Sequence, residues 1–521
     1  MTERAFRLAL SGIVLVTVAG AGLDLMEVDA AQYASMSRDM VGSGDWTHLY
    51  HRGQDYLDKP PLLFWTAALS YELFGVANWS YKLPSILFAF LGMFSLYRFT
   101  ALYHGTDIAR TTTLMFGSSA AFLLMTNDVR CDTILTGSVI TAIWLGMAWI
   151  EQRRWWQLIG CGVAIGAGML AKGPMGLMAP GLAIGGHVLL ARRWDVLRDP
   201  RILVLLPVIA LLLFPMCLGL YEQHGAHGVR FYFWEQSFGR LTGENRWKDD
   251  STPFFFTHEL PWQVLPWTPF VLVGLWYSVL GAMRRNLSEY ASLSGALLVF
   301  IAISFSQFKL PHYLYVALPL FMIMGGLAFH RHMRPWLRVL DRWVIMLLWG
   351  VAMLISAWSF PDGRLPFVAL LVLVPLVLLL LRTQRLLATF WVMITIGCTI
   401  NAHIYPQLLR YQANAQAGKW AAERGLGKGR FYGMQVSGTA LDLYAGHAVQ
   451  WLSDVQEARP VIAPGVVIYT DPVHRARLIE AGFAPVKEIE LPDYRVQLLG
   501  IEMLLPAERA RVLEKRYLMC F

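Results

Sequence analysis

Charged side chains stand at the ends of apolar runs in this chain, and chemistry is available there. Asp29 follows the first such run, in Asp29-Ala30-Ala31-Gln32-Tyr33. With Gln32 three residues on, it forms a capping-box pattern at the start of an amphipathic helix over Tyr33, Met36, Met40 and Val41, suited to lie on a membrane surface. Two compatible readings of Asp29 follow: a helix cap, and a catalytic base with a second oxygen free. In Asp58-Lys59-Pro60-Pro61 the prolines stop one helix and launch another, fixing a carboxylate and an ammonium together. Lys59 there snorkels, pairs with Asp58, or neutralises a phosphate. The phrase Asn127-Asp128-Val129-Arg130-Cys131-Asp132 puts Arg130 and Asp132 at another such end, where Asp132 caps a helix or takes part in chemistry. Lys172 in Lys172-Gly173-Pro174, and Lys309 in Lys309-Leu310-Pro311-His312-Tyr313, repeat the pattern. Charges at such depth are costly unless they face a polar cavity or reach water, so this set favours one shared external cavity.

The elements that must position these residues are membrane spans. The chain has 521 residues, 56% hydrophobic and 15% charged, against roughly 25% charged for a soluble domain. Thirteen apolar stretches near 7–25, 80–103, 109–126, 132–150, 156–171, 174–191, 202–221, 262–283, 289–306, 312–330, 342–360, 365–381 and 385–402 read as transmembrane helices. Alternate connections hold Arg4 and Arg7, Arg98 and Arg110, Arg153 and Arg154, then further arginine groups as far as Arg382 and Arg385. The positive-inside rule puts these in the cytoplasm, leaving the N-terminus inside and the C-terminus outside. The first span resembles a signal peptide but is expected to stay, because the segment after it reads as membrane machinery. The net charge of +8 is scattered between apolar runs, which argues topology and no nucleic-acid partner. Five cysteines, three of them inside apolar runs, exclude a disulfide framework.

The expected organisation is therefore a polytopic α-helical membrane domain over 1–404, with external loops 25–79 and 222–261, and a small periplasmic α/β domain over 405–521. In the latter, strands are expected at Arg430–Gln435, Val466–Thr470, Val486–Leu491 and Val496–Leu499, with helices at Thr439–Ala445 and Pro472–Ala481. No glycine-rich phosphate fingerprint opens those helices, so no nucleotide cofactor is expected. The aromatic residues of the second loop read mainly as an interfacial belt, with a few rings free to stack on a sugar or guide an isoprenoid chain. His224 and His227, three apart near Glu222, would share one helical face, but no third metal ligand stands at firm spacing.

Taken in order, these motifs resemble the GT-C-type membrane glycosyltransferases of the protein-mannosyltransferase/aminoarabinose-transferase superfamily. The resemblance covers roughly 7–402. It rests on Asp29 with Tyr33 and Arg38, Ser43–Trp46, Asp58-Lys59-Pro60, Arg130-x-Asp132, Lys172-Gly173, Leu265-Pro266-Trp267, and Lys309-Leu310-Pro311 with Tyr313. It implies a GT-C fold with external juxtamembrane helices and transfer of a sugar from a polyprenyl phosphate to an envelope acceptor, lipid A being favoured. By the same resemblance Asp29 stands at the reaction centre, with Asp132 as a second catalytic candidate. Lys59, Arg130, Lys172 and Lys309 would bind the donor phosphate, and Tyr33, Asp58 and Tyr313 the substrate. The chain departs from the family pattern at Ala30, Gln32 and Gln236; no metal ligand is assigned, although some relatives carry a divalent metal. The chemistry is consistent: leaving-group phosphate requires cations, and the oxocarbenium-like centre and its acceptor require a carboxylate. Two rival readings are protein O-mannosylation, and lipid or solute transport. Transport sits poorly with charges gathered at outer ends and with no internal repeat.

Overall fold

The computed structural model describes residues 1–235, 239, 251–436 and 438–521. Gln236 and the stretch 240–250 of the second long loop lie outside the described residues. Among the described residues, seven helices are long and apolar enough to cross a membrane. They are α1 (Glu3–Ala21), α4 (Asn78–His104), α7 (Cys131–Gln152), Pro200–Glu235, Pro311–Arg331, Pro335–Ser359 and Arg385–Tyr411. The expected spans at 174–191, 262–283, 289–306 and 365–381 are shorter apolar helices, and 156–171 is α8 (Trp155–Lys172). The expected span at 109–126 is broken into α5 (Thr106–Gly117) and α6 (Ala120–Met125). Ser119 causes the break: its hydroxyl caps the second helix by accepting from the Phe122 amide, while the next amide, of Ala120, donates to Leu265 O at 2.9 Å.

Backbone proximity fixes the packing of the helix that carries Asp132. A Cβ on Gly137 of α7 would lie 2.2 Å from Phe88 O of α4, and Gly92 of α4 faces Gly137 in turn. Glycine here lets two spans touch through their backbones, as small residues do in membranes. The end of α1 is held by fully buried Lys82, which donates to Gly20 O at 2.9 Å and Leu23 O at 3.0 Å.

The first external loop folds into α2 (Asp29–Ser43), a two-strand hairpin of β1 (Tyr50–His51) and β2 (Gln54–Asp55), and α3 (Leu62–Phe74). Arg52 and Gly53, both at positive φ, make its tight turn. The C-terminal part holds a five-stranded sheet of β3 (Phe431–Met434), β4 (Gln450–Leu452), β5 (Val467–Thr470), β6 (Lys487–Asp493) and β7 (Glu514–Cys520), in the order β4-β3-β5-β7-β6. β3 runs parallel to β4 and β5, whereas β7 is antiparallel to β5 and β6. The expected strand at Val496–Leu499 is instead a 3-10 turn, in which buried Val496 joins Leu23 and Met26 in an apolar cluster.

Candidate active site

Three short segments converge beside α2. Asp29 is the first residue of α2; Val28 occupies the N-cap and no side chain caps the helix, so the capping-box expectation for Asp29 fails. The reason is a stronger competitor. Arg130 Nη1 donates to Asp29 Oδ2 at 2.8 Å, and its Nε donates to Asp128 Oδ2 at 2.9 Å. Arg130 itself is the N-cap of α7, which puts Asp132 in the first turn rather than at the cap.

Asp132 is 3% exposed and almost wholly engaged. Lys172 Nζ, at the last residue of α8, donates to its Oδ1 at 2.5 Å, and His312 Nε2 lies 3.7 Å from its Oδ2. Lys172 also sits 4.0 Å over the face of Tyr313. Lys59 is paired with Asp58. Burial opposes its charge, but the adjacent carboxylate prevails and holds the ammonium protonated above its ordinary range. Tyr33 is buried, edge-on to Phe64 with ring centres 5.4 Å apart, and burial pushes its phenol well up.

A cavity of about 160 Å³ lies between these groups. Of the nine residues singled out in the sequence, Asp29, Tyr33, Asp58, Lys59, Arg130, Asp132, Lys172 and Tyr313 line it. Lys309 does not: its Nζ donates to Ser251 O at 3.0 Å and Oγ at 3.1 Å, while its neighbours Phe308 and Leu310 form part of the wall. Sequence reasoning passed over His312, Cys131 and Asp128. All three sit inside the phrases already quoted, so adjacency to the charged residues was the available signal. Three carboxylates thus face three cations across one chamber, which can accept a phosphate by exchanging internal for external anions.

The metal reading of His224 and His227 loses its geometry. Gly225, at φ 63°, breaks the helix between them, and His227 lies 4.0 Å from Glu235 instead. Among the described residues no group of three His, Cys, Asp or Glu side chains could hold a metal ion. A larger hollow of about 680 Å³ lies next to the site, between the C-terminal sheet and Glu27, Val28 and Arg52.

Comparisons with known proteins find similarity in both sequence and fold. The family described as dolichyl-phosphate-mannose-protein mannosyltransferase matches residues 58–218. An undecaprenyl phosphate-alpha-4-amino-4-deoxy-L-arabinose arabinosyl transferase of Edwardsiella ictaluri is 27% identical over 337 residues, 62% of this chain and 58% of that protein. Its counterpart from Pseudomonas paraeruginosa is 27% identical over 310 residues, 57% of this chain and 54% of that one. The chain therefore spans a little over half the length of the curated relatives it matches. The crystal structure of ArnT from Cupriavidus metallidurans bound to undecaprenyl phosphate superposes with a TM-score of 0.76 at 20% identity, over 99% of this chain and 98% of that one. With those motifs on one chamber, the chain has the GT-C fold of that transferase structure and is similar in sequence to the protein-mannosyltransferase and aminoarabinose-transferase proteins.

Proposed function

We propose that the protein moves a sugar from a polyprenyl-phosphate donor to an envelope glycolipid such as lipid A, at the periplasmic face of a bacterial inner membrane. One observation carries the reading: Asp29, held at 2.8 Å by Arg130, lines the same cavity as Lys59 and Lys172. In the transfer, the bond from the anomeric carbon to the phosphate oxygen breaks and a bond to an acceptor oxygen forms. The electron pair goes to the phosphate, where Arg130, Lys59 and Lys172 stabilise it. Asp29, about a third exposed with its side chain 35% accessible, takes the proton of an acceptor hydroxyl, or orients an acceptor that is already a phosphate. Asp132 completes the set by holding Lys172 and facing His312, and Tyr33, Asp58 and Tyr313 shape the sugar pocket. The substrates for which the Edwardsiella and Pseudomonas relatives are named support the donor class. In this topology the N-terminus is cytoplasmic, and residues 405–521 form a periplasmic domain.

The test is the purified full chain with undecaprenyl-phosphate-linked aminoarabinose or mannose, and either lipid A or a polypeptide as acceptor, read by mass spectrometry. A sugar-sized gain on lipid A is expected. Gain on the polypeptide alone would redirect the activity to protein mannosylation, and no gain on any acceptor, with donor intact, would end the transferase reading.

A further inference from the structure

A second site lies at the far end of the helix that carries Asp132. A pocket of about 250 Å³ is walled by Arg98 and Leu102 of α4, Trp144 and Gln152 of α7, and Arg154 and Gln157 at the start of α8. At about 1.5 Å per residue, the helix from Asp132 to Gln152 spans about 30 Å, the thickness of the bilayer's hydrocarbon core. The pocket therefore faces the opposite membrane surface from the candidate active site, among the arginine-rich connections.

Its two arginines differ from their neighbours. Arg153 bonds Asp199 at 3.0 Å, Arg201 bonds the same carboxylate at 2.6 Å, and Arg193 reaches Glu151 at 3.2 Å. Among the described residues Arg98 and Arg154 have no carboxylate partner and donate no side-chain hydrogen bond. Arg98 lies instead over the rings of Trp144, at 5.3 Å, and Phe94, at 5.7 Å. Between them Gln157 is only 1% exposed. Its Nε2 donates to Gln152 Oε1 at 2.8 Å, but its own Oε1 is buried without a partner among the described residues. A buried acceptor left unmade is costly and calls for a donor. From the pocket towards the bilayer centre, Leu87, Leu91 and Phe94 recur on one exposed face of α4.

We infer that this pocket binds an anionic glycerophospholipid with a hydroxylated headgroup, of the phosphatidylglycerol class. The phosphodiester sits between the Arg98 and Arg154 guanidiniums, which hold phosphate oxygens as forked donors. The headgroup hydroxyl donates to Gln157 Oε1, and an acyl chain follows Leu91 and Leu87. A phosphatidylethanolamine ammonium could also donate to Gln157, but it would add positive charge beside two uncompensated guanidiniums. A phosphatidic acid lacks the headgroup alcohol, so its one phosphate would have to serve both the guanidiniums and Gln157. The proposal is independent of the transfer reaction.

Native mass spectrometry of the full chain in neutral detergent, titrated with dioleoyl phosphatidylglycerol, phosphatidylethanolamine or phosphatidic acid, reads it directly. Phosphatidylglycerol should be retained in preference to both others. Arg98→Gln combined with Arg154→Gln should weaken its binding about tenfold, from the loss of two cations at a lipid surface, whereas the Lys/Lys pair should keep most of it. Gln157→Leu should erase the preference over phosphatidic acid while leaving retention of both, a result that does not depend on the double variant folding. Equal retention of phosphatidylglycerol and phosphatidylethanolamine by the unaltered chain would overturn the assignment. So would displacement of the lipid by equimolar inorganic phosphate, which would make this a site for the free anion.

Discussion

Asp29 has one carboxylate oxygen on Arg130, and among the described residues its other oxygen has no hydrogen-bond partner. That asymmetry separates its role from that of Asp132, both of whose oxygens face cationic or imidazole groups within a 3%-exposed environment. Asp29→Asn should keep the Arg130 contact through its amide oxygen and lose the proton acceptor. Turnover is expected to fall by about 10²–10⁴ with donor affinity little changed; steady-state kinetics with a titrated donor separate the two, and undiminished turnover would remove Asp29 from the chemistry. For Asp132 the expectation is structural coupling. Lys172→Met or Asp132→Asn alone leaves a buried charge without its partner, costing about 3–5 kcal/mol. The double variant should regain much of the lost thermal stability while transfer stays low. Recovery of both together would make the pair a scaffold only.

Elements set these residues at their distances, and two of them are open to test. Gly137→Ala on α7 drives a methyl into Phe88 O and must part α7 from α4, so a loss of about 1–3 kcal/mol in detergent unfolding is expected. A Cβ on Gly181 of the helix Met175–Leu190 would meet no atom within 4 Å, so Gly181→Ala should be neutral or stabilising by up to about 1 kcal/mol. The first external loop is pinned to the helix Leu205–Arg230 through His48, whose Nδ1 lies 2.9 Å from Asp45 and whose Nε2 lies 3.4 Å from Glu222. The hydrogen bond to Asp45 raises the imidazole above its ordinary value of 6.5, with smaller help from Glu222. A base whose pKa is higher when folded contributes fully below the unfolded value and loses that contribution as pH rises through the folded one. Amide protection at Thr47–Leu49, corrected for intrinsic exchange, should therefore fall as pH rises beyond about 6.5, and His48→Gln should flatten the dependence. The apolar runs were legible because bilayer length and arginine-rich turns leave few alternatives. The broken span at Ser118–Ser119 was not, because serine is tolerated in helices and the breaking contact comes from Leu265, far along the chain. β7 was hidden for a related reason: it opens with the charged run Glu514, Lys515 and Arg516, and only Tyr517–Met519 are buried. The site's charges were readable as expensive residues at span ends; the pairing of Arg130 with Asp29, 101 positions apart, is a product of folding alone.

At the scale of the whole molecule, the C-terminal sheet and its helices grip the five residues that lead into Asp29. Lys419 bonds both oxygens of Asp24 at 2.6 Å. Tyr444 accepts from the Leu25 amide at 2.8 Å and donates to Asn78 Oδ1 at 2.9 Å. Glu27 accepts from the Ala440 amide at 2.9 Å and from Asn414 at 2.8 Å, and Thr439 donates to Val28 O at 2.9 Å. Arg38, one of the motif residues, ties α2 to the same region by donating to Asp442 O at 2.8 Å. Glu27 and Val28 line the 680 Å³ hollow and Asp29 the smaller cavity, so one backbone segment, bonded to the C-terminal part, borders both. A rigid support of this kind matters because a misplacement of about 1 Å in a catalytic group can cost on the order of 10²-fold in rate. Tyr444→Phe removes two hydrogen bonds at the start of the segment without opening the apolar packing, at an expected cost of about 1–2 kcal/mol in local stability. Hydrogen exchange at Leu25–Val28 should quicken and turnover should fall several-fold, with donor affinity unchanged because Lys59, Arg130 and Lys172 are untouched. Faster exchange with full turnover would show that Asp29 is placed by Arg130 alone, and that the C-terminal part serves something other than the geometry of transfer.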